Sequence, residues 1–131
     1  MDLTTLAVSS EGAVLTLTHP VTGAELPVKI TLLGTDSPVF RKAQRAIVNR
    51  RLKQGKKPNL TAEEIESEGV DALVSCTVSW MGVEIDGKKL ECTPENVRKV
   101  YTDIRLPFIR EQLDTFIAER ANFMKALPES S

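Results

Sequence analysis

Leu26, Val28, Ile30 and Leu32 stand two residues apart in a run whose other positions are Glu25, Pro27, Lys29 and Thr31. A period of two puts all four on one face of an extended strand, and that face must be buried against something. Just upstream, Ala13 to Thr18 alternates in the same way, with Val14, Thr16 and Thr18 on one face and Ala13, Leu15 and Leu17 on the other. Between the runs, His19-Pro20-Val21-Thr22-Gly23 carries turn residues, and Gly23 is free to take a positive φ. The pattern predicts an antiparallel β-hairpin over 11–33. Pro27 has no N–H to give to a ladder, so the second strand has an edge there or begins its pairing after it.

From Gly34 onward the rhythm becomes helical. Ser37-Pro38 reads as an N-cap and a first helical residue, opening a helix to about Lys53 with Phe40, Ala43, Ile47 and Val48 near one face. Gly55 and Pro58 stop it, leaving Lys56-Lys57-Pro58-Asn59 as an exposed loop. Thr61 with Glu64 three residues on makes a capping box, and Glu63, Glu64 and Glu66 complement the dipole at the helix start. Ile65, Ala72, Leu73, Cys76 and Trp80 recur at helical spacing, which predicts a second helix to about Val78, with Trp80 and Met81-Gly82 closing the 38–80 pair. Residues 83–92 alternate around Asp86-Gly87, a strong hairpin signal. Thr93-Pro94-Glu95 restarts helix, and 94–126 reads as helical, divided at Leu106-Pro107 because proline disfavours helix at the residue before it. The expected class is α+β: an N-terminal hairpin, a short second hairpin and about four dominating helices in a single small domain over 1–131.

With 41% apolar residues the 131-residue chain can build one core, and 27% charged residues with a net charge of −1 argue against disorder and against a polycationic coat. No apolar run approaches the ~20 residues needed to cross a bilayer, and the start of the chain lacks a signal-peptide pattern, so no membrane partner and a cytoplasmic location are expected.

The residues offer little chemistry. His19 is the single histidine and reads as a turn residue; no metal-ligand spacing accompanies it. Cys76 and Cys92 have no partner base in the pattern and read as small buried hydrophobes, reduced and dispensable. Glu84, Asp86 and Glu91 read as solvated hairpin carboxylates. No catalytic residue, cofactor or metal is expected, and enzyme activity is disfavoured. Charge segregation is more informative. Arg41, Lys42, Arg45, Arg50, Arg51, Lys53, Lys56 and Lys57 occur without an intervening acid, and Glu63, Glu64, Glu66, Glu68 and Asp71 follow without a base. The basic block at 41–57 could neutralise phosphates in a small nucleic-acid-binding regulator. It could instead be matched by the acidic helix, or face another copy. The slightly negative net charge and the lack of a stacking aromatic after Phe40 disfavour nucleic acid as a partner. Arg41, Arg45, Arg50 and Arg51 are therefore candidate partner or oligomer contacts. The stripe Ile109, Leu113, Phe116, Ile117 and Met124 is expected to leave its far end, with Phe116, Phe123 and Met124, protruding as a second contact surface.

The order of these pieces resembles a known family. It comprises the hairpin, the basic helix, the acidic-start helix ending in Cys76-Thr77-Val78-Ser79-Trp80-Met81-Gly82, and Asp86-Gly87. It closes with Thr93-Pro94-Glu95-Asn96-Val97-Arg98-Lys99-Val100-Tyr101 leading to Leu106-Pro107-Phe108-Ile109-Arg110-Glu111-Gln112-Leu113. From about Thr16 to Met124 the chain is similar to the tail assembly chaperones of long-tailed bacteriophages with non-contractile tails. The resemblance rests on order and texture. It implies a non-enzymatic protein of the infected host's cytoplasm, absent from the finished particle. Such a protein binds the long helical tape measure protein, keeps it soluble and recruits tail tube subunits; separately, the opposed charge blocks and the long apolar stripe on a small scaffold predict self-association. Relatives often gain a C-terminal extension by ribosomal frameshifting, and an end at Ser131 after a polar tail would fit the short form. The family carries no catalytic residues to transfer.

Overall fold

A computed structural model describes residues 1–55 and 61–124. Strands β1 (Ala13–Thr18), β2 (Glu25–Leu32) and β3 (Thr77–Met81) form one antiparallel sheet in that order, with β2 at its centre. Helices α2 (Ala62–Cys76), α3 (Pro94–Tyr101) and α4 (Pro107–Ala118) supply most of the rest of the core, while α1 (Pro38–Gln54) lies at its periphery. The two-residue strands β4 (Glu84–Ile85) and β5 (Lys88–Lys89) form the second hairpin. The class is α+β, and both hairpins are where the sequence puts them.

The hairpin forms as its alternation requires. Ala13 pairs with Leu32 and Leu15 with Ile30, so Leu17, Ile30 and Leu32 turn inward and are buried, while Val14 and Lys29 face solvent. The β2–β3 ladder begins at Lys29–Met81, which leaves Pro27 outside it on that side. There the Pro27 carbonyl lies so close to Gly82 (φ +78°) that no side chain fits at position 82. His19 Nδ1 accepts the N–H groups of Val21 (3.1 Å) and Thr22 (3.2 Å), so the one histidine organises the β1–β2 turn. Asp86 (φ +52°) and Gly87 (φ +78°) make the tight turn of the second hairpin.

Two sequence expectations are corrected. The second helix does not run to Val78. It ends at Cys76, and Thr77 to Met81 is a third sheet strand. Thr77 Oγ1 donates to the Leu73 carbonyl at 2.8 Å and meets the Tyr101 hydroxyl at 2.7 Å, while the Leu33 N–H takes the Cys76 carbonyl at 2.8 Å. Those bonds terminate the helix and deliver the β-branched and aromatic residues of β3 directly onto β2. Trp80, opposite Ile30, donates its indole N–H to the Leu90 carbonyl at 3.0 Å and ties the second hairpin to the sheet.

The C-terminal helices also stop early. Division at Leu106-Pro107 is as expected, but α4 ends at Ala118 rather than near 126, and a 3-10 turn, Arg120–Phe123, folds back. Asn122 Nδ2 donates to the Phe116 carbonyl at 3.0 Å, and Val8 bridges Met124 in an isolated antiparallel pair. Phe123 therefore does not protrude: it is 2% exposed, edge-on to Phe116 at 5.3 Å between ring centroids. Its ring also lies against Gly34, where an added Cβ would come within 2.7 Å of it. Phe116 and Met124 are half-buried. The stripe Ile109, Leu113 and Ile117 is core, packed with Val70 and Leu73 of α2, Val97, Val100 and Tyr101 of α3, and the inner sheet face. Gln112 docks α4 on the sheet edge, accepting the Thr18 N–H at 2.9 Å and donating to the Thr18 carbonyl at 2.8 Å. The proposed 56–59 loop, with Lys56 and Lys57, and the polar tail from Leu127 lie outside the described residues.

Candidate functional site

Helix α1 has both its ends written locally. Ser37 Oγ accepts the Phe40 N–H at 3.1 Å, Pro38 fills the first turn, and Gly55 (φ +61°) closes the last turn through its N–H to the Arg51 and Leu52 carbonyls. The helix nevertheless has no buried residue, whereas α2 has Val70, Ala72, Leu73 and Cys76 buried. Its apolar stripe is narrow: Phe40, Ala43 and Ile47 are half-buried, while Val48 and Leu52 are 49% and 73% exposed. Such a helix sits on the body by one face and leaves the rest in solvent.

Beneath it lies a groove of about 520 Å³. Phe40, Ile47 and Val48 of α1 line one side, Ala72 and Leu73 of α2 the floor, and Ile117 and Asp114 of α4 the other side. The Arg51–Glu68 ion pair stands in its wall, with Arg51 Nε donating to Glu68 Oε2 at 3.1 Å. The hydrogen bond from Arg51 holds the Glu68 carboxyl below its ordinary value of 4.5 and raises the arginine in turn.

The structure divides the four candidate arginines. Arg50 lies 3.7 Å from Asp71, which also pairs with Arg98 of α3, and Arg51 pairs with Glu68. These two bases belong to the α1–α2–α3 seam, as the charge-matching reading of the two blocks expects. Arg41 and Arg45 are different: both are exposed, and among the described residues neither they nor Lys42 make an ion pair. One helical turn apart, they flank Val48 on the outer bank of the groove, around a second shallow depression. Of the C-terminal candidates, Phe116 lines a separate concavity beside Leu15 of β1, and Phe123 is withdrawn into the core. Sequence reasoning took Ala72 and Leu73 as core, put Ile117 in the stripe whose far end was expected to protrude, although it is buried, and passed over Asp114. A warning was available in the ratio of bases to apolar residues on α1, which marks a helix held at the periphery.

Cys76 is buried and its thiol is pushed up to about 11, chiefly by burial; burial also raises Cys92. Both are thiols at neutral pH, weak nucleophiles in that form. Among the described residues no three His, Cys, Asp or Glu side chains converge as a metal site, and no described helix is long and apolar enough to cross a membrane.

The Arg51–Glu68 clamp gives an acid dependence with a definite sign. A carboxylate held below its ordinary value contributes stability above that value and loses it as pH falls through the lowered one. Glu68→Gln is therefore expected to lower the melting temperature at pH 7, with the gap to wild type closing as pH falls below 4.5. Asp103, held at about 2 by hydrogen bonds from Arg105, should behave likewise between 3.8 and about 2. Thermal melts of Glu68→Gln and Asp103→Asn across pH check this; a gap that widens in acid would contradict it.

No protein-family model matches the chain, and neither a curated protein nor a solved structure matches it.

Proposed function

We propose that this protein is a tail assembly chaperone of a long-tailed bacteriophage with a non-contractile tail. In this reading it is non-enzymatic, works in the host cytoplasm, self-associates, and is absent from the mature particle. It binds the tape measure protein, keeps it soluble, and recruits tail tube subunits. Besides the resemblance in the order of segments, one observation supports the reading: the open apolar groove under α1, bordered by Arg41 and Arg45. A long helical client exposes apolar stripes that aggregate unless covered, and a groove between helices is a surface that can cover them. Many copies along one client supply avidity, so a shallow groove suffices.

The test is co-expression with the very long helical protein encoded nearby in the same genome. The client should move from the pellet to the soluble fraction and co-purify with this protein. A client that stays insoluble with ample chaperone would remove the reading.

The exposed bases Arg41, Lys42 and Arg45, which make no ion pair among the described residues, also favour a second reading, a small nucleic-acid-binding regulator using 41–57. Duplex binding that falls steeply with salt would support it; no binding at low salt would dismiss it.

A further inference from the structure

We infer that the groove between α1, α2 and α4 receives one amphipathic helix whose apolar stripe is flanked, on the side facing α1, by Asp and Glu. The inference rests on the reading of this groove as the client surface, and it assigns the chemistry of the client segment.

The groove's floor is aliphatic, and Phe40 on its α1 side is the single aromatic in the lining. It offers an apolar stripe a place to bury and offers bases little to stack on. From Phe40 to Arg51 the α1 side runs about 16 Å, three turns of helix, which matches anchors at i, i+3 or i+4, and i+7. Charge decides the flank. Arg51 is already paired with Glu68, and Arg50 lies toward Asp71 outside the groove's lining, so neither draws an acid there. Arg41 and Arg45 make no ion pair among the described residues, and they stand on the outer bank beside Val48; Asp36, near enough to feel the charge of Arg41, is itself held by Arg120. Asp114 is the exposed acid on the opposite bank. A helix with acids toward α1 and neutral or basic residues toward Asp114 meets both banks favourably; a helix with lysines toward α1 meets Arg41 and Arg45.

The probe is a labelled synthetic amphipathic helix of about five turns with a leucine stripe flanked by Glu on one side, against a twin with Lys in those places. Anisotropy titrations with the full-length protein should show the acidic peptide binding about tenfold more tightly than its twin, with the advantage shrinking at about 0.3 M salt. Arg41→Glu with Arg45→Glu should reverse the preference, and Val48→Glu should abolish both interactions. All three positions are exposed, so melting temperatures should stay within about 3 °C of wild type.

Equal affinity for the two peptides, binding of neither, or displacement of the acidic peptide by duplex DNA would overturn the proposal. So would a dimer dissolved by Val48→Glu, since a second copy would then occupy the groove. Failure of the chaperone reading is distinguishable. Acidic-peptide binding without client solubilisation removes that reading and keeps the groove's specificity. Solubilisation untouched by Arg41→Glu with Arg45→Glu does the reverse.

Discussion

Phe123→Ala is expected to cost about 3–5 kcal/mol, a large part of the ~5–15 kcal/mol that holds a domain of this size together. The ring is 2% exposed, meets Phe116 edge-on, and fills the space that Gly34 leaves by having no side chain. Removing it opens a cavity that a short 3-10 turn and the Val8–Met124 bridge cannot close. Urea unfolding should show a lower midpoint with an unchanged slope. A loss below about 1 kcal/mol would mean that the ring is not packed as described. The alanine variant also separates the structure from the sequence expectation, in which Phe123 stood on a protruding surface and its removal left stability untouched.

Leu113→Ala is expected to cost about 2–5 kcal/mol, because Leu113 is completely buried at the middle of α4, between the sheet and helices α2 and α3. Leu52→Ala on α1 should stay within about 0.5 kcal/mol, since Leu52 is 73% exposed. The pair of measurements distinguishes a stripe that is core from a helix that is peripheral. Comparable losses at both positions would place α1 in the core and leave no open groove.

What the sequence revealed is what local chemistry decides. The alternation at Leu26 to Leu32 gave β2 its inner face, and Ser37-Pro38, Thr61 with Glu64, and Thr93-Pro94 opened three helices where they were expected. Asp86-Gly87 turned the second hairpin for the same reason. The failures are non-local. Cys76 and Trp80 are spaced as helical neighbours, and only the ladder with β2 turns Thr77 to Met81 into strand. Phe123 is claimed by Gly34, far away in the chain, so no window around residue 123 shows its burial. The candidate site was half legible. The basic block is visible as a run, but its division into Arg50 and Arg51, paired across the seam, and Arg41 and Arg45, open to solvent, depends on where Glu68 and Asp71 come to lie. The far wall, Ile117 and Asp114, arrives from α4.

Site-specific photo-crosslinking to a soluble fragment of the proposed client, a tape measure protein, tests the central claim most directly. A crosslinker at Val48 sits at the groove; the same group at Val14, 55% exposed on the outer sheet face, is the control. Crosslinks from position 48 to acidic-flanked helical segments of the client, with little or none from position 14, are the expected result. Crosslinks from position 14 with none from position 48 would show that the client binds elsewhere and contradict the assignment of the groove.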